Sequence, residues 1–251
     1  MDSTALSLFS QMDYQINDAL TATIGLAYSD DSKDVSSNIT IIDPFAALPL
    51  EAAGLGALSG LQFFPAFTNY PNANESGRFD SDDVTHRLSL AYAISDSSSI
   101  YVTHSSGFKA TSVNMSVDAR DVRAANPEDA TNYEIGLKTT FDNGYLNLAY
   151  FDQNIEDFQS NAFSGTGFNL VNAGKESHKG VELDSMLALS ENLMLRVSAM
   201  QLDAVYDSFE RGTCDTTGLA EPQYQCPAGQ PYIDLSGLEP SGIHNLSANA
   251  N

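Results

Sequence analysis

Four aromatic side chains lie close together in a stretch that is otherwise rich in Gly and Ala. They are Phe63, Phe64, Phe67 and Tyr70, grouped around Pro65. Aromatic rings offer stacking surface to the planar groups of a ligand. The alternative is that the rings only pack their own loop against itself. Both interpretations stay open from the residues alone.

Three cations form a second candidate binding group. Lys109, Arg120 and Arg123 lie in one segment of a chain that has 33 acidic and 11 basic residues and a net charge of −22. Positive charge concentrated in an acidic protein attracts an anionic ligand. The alternative is ordinary ion pairing with three neighbouring acids, Asp118, Asp121 and Glu128.

A third group combines carboxylates with an imidazole, which are the residue types of acid–base catalysis. It consists of Asp82, Asp83 and His86, and the run "DSDD" at 80–83 could also hold a divalent cation that bridges lipopolysaccharide. A solvated acidic loop that runs into a strand explains the same pattern, and the four histidines of the chain are scattered. We therefore predict no catalytic residues, no metal site and no cofactor.

The two cysteines, Cys214 and Cys226, lie in one polar stretch, and no histidine is near them in the sequence. A metal site would need more ligands close by. We predict a local disulfide in an oxidising compartment rather than two free thiols. Closing so short a loop is worth roughly 3 kcal/mol in the chain-entropy model.

The charge and the hydropathy of the chain exclude two classes of protein. A net charge of −22 repels nucleic acid, so no nucleic-acid partner is expected. No uninterrupted apolar run reaches eighteen residues, so no transmembrane helix is predicted.

Strands must position these groups, because apolar and polar residues alternate with period two along much of the chain. In one such run Tyr133, Ile135 and Leu137 share a face, and Glu134 and Lys138 share the other. The alternation predicts nine strands, at 4–16, 20–29, 84–94, 99–105, 131–141, 145–159, 178–189, 193–208 and 242–251.

The connections between these strands alternate in length. The short ones are at 17–18, 95–98, 142–144 and 190–192, and the long ones are at 30–83, 106–130, 160–177 and 209–241. In an antiparallel meander this order places every long loop at one end. Outer-membrane barrels have this arrangement, whereas soluble sandwiches mix loop lengths at both ends. A soluble sheet with one buried face would show the same side-chain alternation, but the loop order favours a barrel. We predict an all-β, antiparallel, up-and-down transmembrane β-barrel segment with an apolar face towards lipid and a polar lumen.

Five segments of the sequence resemble consecutive parts of a known family of barrels. They are residues 8–34, "YVTHSSGFKATSVN" (101–114), "NPEDATNYEIGLKTTF" (126–141), "LAYFDQNIEDFQS" (148–160) and "LVNAGKESHKGVELD" (170–184). In order and spacing they are similar to TonB-dependent outer-membrane receptors, and most of all to those for iron–siderophore complexes.

The resemblance implies a 22-stranded barrel with an N-terminal plug domain, set among the lipid and lipopolysaccharide of a Gram-negative outer membrane. It also implies that the TonB–ExbB–ExbD system drives uptake. We expect residues 1–251 to be an internal part of such a barrel, without the plug domain and the remaining strands. The aromatic and cationic groups are then expected to contact an iron–siderophore complex. A passive porin or a structural surface barrel is the alternative function.

Overall fold

The computed structural model describes residues 1–37, 48–56, 75–113, 124–163, 168–214, 221–227, 232–240 and 246–250. Strands account for most of them, together with one short 3₁₀ helix at Pro222–Tyr224. In chain order the strands are β1 (Asp2–Gln15), β2 (Leu20–Ser37), β3 (Glu75–Ser95), β4 (Ser98–Lys109), β5 (Ser112–Val113), β6 (Ala124–Ala125), β7 (Glu128–Phe141), β8 (Gly144–Glu156), β9 (Gln159–Phe163), β10 (Phe168–Asn172), β11 (Lys175–Ser190), β12 (Leu193–Ser208), β13 (Gly212–Thr213), β14 (Tyr232–Ile233) and β15 (Leu246–Ala250).

Nine of these strands form one antiparallel sheet, which we call the wall. Its order is β1-β2-β3-β4-β7-β8-β11-β12-β15, so each long strand pairs with its neighbours in the chain. The predicted nine-stranded meander is therefore confirmed. Within the described residues the wall is an open sheet, because β1 and β15 each pair on one side.

The four tight turns lie side by side at one end of the wall. The amide of Ala93 donates to the carbonyl of Ala19 at the first turn (2.7 Å), and the amide of Thr140 donates to Ser97 at the second (2.8 Å). At the third turn the amide of Ala188 donates to Asn143 (2.7 Å). The long connections leave from the opposite end, which we call the loop end, as the alternation of loop lengths predicts.

Six of the nine wall strands extend further towards the loop end than the sequence predicts, whereas β8 and β15 are shorter there and β12 ends as predicted. The second strand continues to Ser37 instead of ending at 29, and the third begins at Glu75 instead of 84. These extensions are mostly polar, with Val35 and Phe79 as the apolar exceptions, so the ladder continues after the period-two alternation has ended. The predicted loops 160–177 and 209–241 are also not free of structure, because they contain the hairpins β9–β10 and β13–β14.

One face of the wall is apolar and uncovered. Cross-strand pairs join Tyr14 to Ala22, Leu90, Val102, Ile135, Tyr150 and Val181 in a single row over seven strands. The large side chains of this row, which we call the apolar row, are between 42% and 62% exposed. Apolar side chains left this open across a whole sheet need a solvent other than water.

The opposite face is polar and hydrogen-bonded within itself. The hydroxyl of Tyr101 donates to Oε1 of Glu134 (2.6 Å), and Thr103 donates to the hydroxyl of Ser89 (2.9 Å). The ring of Tyr101 lies across Gly136, where a Cβ atom would come within 2.5 Å of it. Glycine therefore allows the ring to lie flat against the wall.

A small core lies at the loop end. Ala173, Phe209 and Leu235 are buried there, and six half-buried side chains pack around them: Phe158, Val171, Tyr206, Tyr224, Ile233 and Leu238. We call this cluster the loop-end knot. It ties two long connections, 157–174 and 209–245, to the end of β12. Among the residues described, no helix has the length and apolar character needed to cross a membrane.

Candidate ligand-binding region

The predicted ligand-binding residues fall mainly outside the described residues. The aromatic group, Phe63, Phe64, Phe67 and Tyr70, and the cations Arg120 and Arg123 all lie there. Lys109 is described, and it ends β4 at the loop end. The ligand contacts of this group remain a prediction.

Lys109 forms an ion pair with Glu128. Its Nζ lies 2.9 Å from Oε2 of Glu128, and its side chain stays 52% exposed while that of Glu128 is 13% exposed. The same carboxylate oxygen accepts a hydrogen bond from the amide of Gln159 (3.0 Å). The charge pairing that the sequence left as an alternative is thus present at Lys109, and an anionic ligand would compete with Glu128 for this cation.

Gln159 fastens two long connections to each other, and we call its contacts the Gln159 clasp. The side chain is 5% exposed. Its amide nitrogen donates to the carbonyl oxygens of Ala110 (3.1 Å) and Asn126 (2.7 Å), and its oxygen accepts from the hydroxyl of Ser112 (2.7 Å). The 110–127 and 157–174 connections are therefore joined by hydrogen bonds from one buried residue, which hold the base of the candidate region in place.

The loop-end knot fixes the other side of the region. The ring of Tyr206 lies 5.1 Å from that of Phe209, and the amide of Leu235 donates to the carbonyl of Phe209 (2.9 Å). Cys214 and Cys226 form the disulfide that the sequence predicts, with their Cα atoms 4.9 Å apart. Side-chain packing and a covalent bond both restrain the described residues of the connection that follows β12.

The residues considered for catalysis do not form a catalytic group. Register places Asp82 and His86 on the apolar-row side and Asp83 on the polar side. Nδ1 of His86 lies 3.0 Å from the hydroxyl of Ser106. Asp80 accepts from Ser32 (2.6 Å) and pairs with Arg78 (2.9 Å), and these contacts lower the pKa of Asp80.

Acidic groups dominate the electrostatics of the loop end. Partial burial, followed by the charges of Asp83, Asp157 and Glu156, raises the pKa of Asp129. Burial and then the charge of Glu176 raise the pKa of Tyr206. No group of three or more His, Cys, Asp and Glu side chains that could hold a metal ion occurs in the part of the chain that is described.

Sequence reasoning missed the Gln159 clasp and the contact between Glu176 and His178, whose Oε1 and Nε2 atoms lie 2.9 Å apart. Gln159 is the last residue of the predicted strand 145–159, and nothing local in the sequence marks its side chain as buried. Glu176 and His178 are two residues apart and therefore share one face of β11. This two-residue spacing can be seen in the sequence.

A comparison with protein families identifies the wall. Residues 1–225 match the family model described as "TonB dependent receptor-like, beta-barrel". The chain belongs to this family. The resemblance noted in the sequence is therefore confirmed over most of the chain, and the all-β barrel architecture with it.

Solved structures show the same fold at low sequence identity. The ferric yersiniabactin uptake receptor FyuA from Yersinia pestis is 17% identical, with a TM-score of 0.66 over 99% of this chain and 30% of that one. The siderophore receptor PiuA from Acinetobacter baumannii is 15% identical, with a TM-score of 0.68 over 99% of this chain and 30% of that one. The ferric-catecholate import receptor Fiu from E. coli K12 is 13% identical, with a TM-score of 0.59 over 89% and 30%. The chain thus spans about 30% of the length of these receptors.

Proposed function

We propose that this chain forms part of the wall of an outer-membrane receptor in a Gram-negative bacterium, and that the receptor takes up a scarce ligand. The observation that carries the proposal is the apolar row, which crosses seven strands with its large side chains exposed. A wall that presents such a row to lipid and a hydrogen-bonded polar face to a lumen is the arrangement of a transmembrane barrel. Lipid and lipopolysaccharide are then its surroundings.

The ligand in this proposal is an iron–siderophore complex. Family membership supports it, and the solved structures that share the fold include receptors for ferric yersiniabactin and ferric catecholates. A chelate of this kind combines planar groups with negative charge. Rings in the 63–70 segment would stack on the planar groups, and Lys109, Arg120 and Arg123 would attract the charge.

Energy for uptake in this proposal comes from the TonB–ExbB–ExbD system, through a plug domain in the remainder of the receptor. Family membership supports this step. The Gln159 clasp and the loop-end knot contribute a rigid base for the ligand-binding loops, so that less conformational entropy is lost when the ligand binds.

The test is ligand binding and uptake by the full-length receptor with a panel of iron–siderophore complexes. Phe64→Ala should weaken affinity with little dependence on salt, because stacking is not screened. Changing Arg120 and Arg123 to Gln should mainly slow capture, and the deficit should shrink as salt rises. Lys109→Gln should have a smaller effect, since Glu128 already pairs with this cation. If all three variants bind like the parent, these loops are not the binding site.

A passive porin is the competing function. A porin conducts small solutes without an energy source, whereas uptake by a TonB-driven receptor stops when TonB is deleted. Uptake of the chelate that persists at the parental rate in a tonB deletion strain would favour the porin and contradict the proposed mechanism.

A further inference from the structure

The apolar face of the wall is not evenly filled, because one side chain of the apolar row is small. This side chain is Ala22, which pairs across the strands with Leu90. A groove of about 360 Å³ opens there, a volume within the range of small-ligand sites. Ile24, Leu88 and Val102 also line it, and register places all five side chains on the apolar-row side. The groove is therefore an apolar channel that crosses β2, β3 and β4.

Two rings lie where this groove reaches β7. Tyr133 and His104 both line it, and their rings are stacked, with centroids 4.4 Å apart and planes 10° from parallel. The ring of His86 meets the edge of the His104 ring, with centroids 4.9 Å apart. Two of the four histidines of the chain are thus concentrated at one end of an apolar groove.

Three tyrosines of the same face show the depth at which these rings lie. Tyr133 is three strands across the wall from Tyr28 and four residues closer to the tight turns, which is about 14 Å across the strands and about 13 Å along them. Tyr150 is one strand further and two more residues closer to the turns. The line through the three is inclined by about 45° to the perpendicular of the strands, and a strand tilt of about 35–45° inclines the membrane surface by a similar angle. The three tyrosines therefore lie at one depth, where aromatic residues mark the edge of the lipid band.

The groove runs from this edge into the lipid band. Tyr133 is at the edge, whereas Ala22, at the far end of the groove, is six residues from Tyr28 along β2. Six residues extend about 20 Å along a strand, which is about 14 Å in depth at a tilt of about 45°. Half of the hydrocarbon core of a bilayer is about 15 Å thick. The groove thus has the depth of one acyl chain, with its rings at the level of the lipid headgroup.

Polar atoms are available at this headgroup level. Nδ1 of His104 lies 3.4 Å from the carbonyl oxygen of Asn132, which only accepts, so Nε2 is left for another partner. Tyr133 is 57% exposed, and none of the described residues forms a hydrogen bond with its hydroxyl. Asp152 stands opposite Tyr133, but its carboxylate pairs with Nζ of Lys179 at 3.2 Å. An anion at this point therefore meets hydrogen-bond donors beside a neutralised carboxylate.

We propose that this groove binds one phosphorylated lipid of the outer leaflet, since the loop end is the extracellular end of such a barrel. An acyl chain lies along Val102, Leu90 and Ala22, and the phosphate lies at Tyr133 and His104. The hydroxyl of Tyr133 donates to a phosphate oxygen, and imidazole, which gains a proton close to neutral pH, adds a charged donor. The inference rests on the lipid-facing wall of the proposed function, but it does not depend on which ligand the receptor transports.

The experiment uses the full-length receptor, purified in a maltoside detergent and stripped of lipid. The probe is phosphatidylglycerol with a diazirine near the end of one acyl chain, and peptide mass spectrometry locates the cross-links that light produces. We expect saturable labelling around Ala22, Leu90 and Val102, and weak labelling without saturation around Val181, which is on the same row outside the groove. Diacylglycerol with the same diazirine lacks the phosphate, so half of the labelling should require about tenfold more of it.

Variants separate the groove from the headgroup contacts. Ala22→Phe should fill the groove and abolish the saturable labelling, whereas Val181→Phe, the matched control on the same row, should not. The double variant Tyr133→Phe with His104→Phe keeps two rings and removes their polar atoms. It should raise the half-saturating concentration of phosphatidylglycerol about tenfold and leave that of diacylglycerol unchanged. Tyr150→Phe removes the hydroxyl of a tyrosine at the same depth outside the groove and should behave like the parent.

Three results would overturn the proposed site. Equal, unsaturated labelling at the groove and around Val181 would show that lipid covers the wall without a specific site, and the lipid-facing wall would stand. An unchanged half-saturating concentration in the double variant would show that Tyr133 and His104 do not recognise the phosphate. No labelling at either place would show that the wall does not face lipid, and the proposed function would fail with the groove.

Discussion

The wall and the loop-end knot differ in what surrounds their apolar side chains. In the wall, Leu90 and Val102 are 46% and 47% exposed, and the backbone ladder holds the strands together. In the knot, Phe209 is 4% exposed and packs against side chains of two connections. The wall therefore depends on what covers it from outside, whereas the knot carries its own core. Loss of lipid should weaken the wall and leave the knot nearly unchanged, because the knot removes its apolar surface from water without lipid.

The largest effect is expected from Phe209→Ala. Replacing a buried Phe by Ala costs about 3–5 kcal/mol through lost burial and the cavity that remains. Because the knot is a local unit, the loss should appear as faster hydrogen exchange in residues 206–238, with the ladder of the wall unchanged. Phe141→Ala is the matched control, since Phe141 is 50% exposed near a tight turn. Equal acceleration throughout the wall would show that knot and wall unfold together.

A charge on the apolar row should have the next largest effect. Leu90→Arg places a cation against lipid at a cost of about 2–4 kcal/mol if the residue lies near the middle of the bilayer. Ala91→Arg is the control at the same depth, because its side chain is on the polar face. The measurement is the urea midpoint of the full-length receptor in lipid vesicles. Similar midpoints for the two variants would show that the apolar row does not face lipid.

The wall could be predicted from the sequence, because its signal is local. Period-two alternation locates each strand, and the short turns near Asn17, Ser97, Asn143 and Asn192 determine the pairing. The alternation ends at Asp30, where polar residues begin to predominate on both faces, although β2 continues to Ser37. For this reason the alternation predicts shorter strands than β2 and β3 have at the loop end.

The knot and the Gln159 clasp could not be predicted, because their contacts are distant in sequence. Phe158, Phe209 and Leu235 meet only after three segments fold together. Gln159 reaches Ala110 across 49 residues of chain. Neither contact leaves a periodic pattern, whereas the disulfide could be predicted because two cysteines lie close together in the chain.

The Gln159 clasp should respond to Gln159→Leu with a loss of about 1–3 kcal/mol, because the carbonyl oxygen of Ala110 would lose the donor that Gln159 supplies and that of Asn126 would keep only Asn172. The loss should speed hydrogen exchange and protease cleavage in the 110–127 and 157–174 connections. Gln11→Leu is the control, since Gln11 is exposed and contacts only Asp13 among the side-chain hydrogen bonds described. Cleavage of both variants at the parental rate would show that the clasp does not restrain these connections.

The smallest effect is expected in the pH dependence of stability. It can be compared at two carboxylates of the loop end, Asp129 and Asp234. Partial burial and neighbouring acids raise the pKa of Asp129, so its ionised form destabilises the fold at neutral pH, and protonation relieves this as pH falls through the raised pKa. Asp129→Asn should therefore be slightly more stable than the parent at neutral pH, with a gain that disappears in acid.

Asp234 is the opposite case, because hydrogen bonds from Ser236 lower its pKa. Its ionised form stabilises the fold at neutral pH, and that stability is lost as pH falls through the lowered pKa. Asp234→Asn should thus be slightly less stable at neutral pH, with a deficit that also disappears in acid. Hydrogen exchange of the loop end, measured for both variants from neutral to acidic pH and corrected for the intrinsic rate, checks the two signs. Differences of the same sign would show that the acidic surroundings of Asp129 do not act on it in the folded receptor.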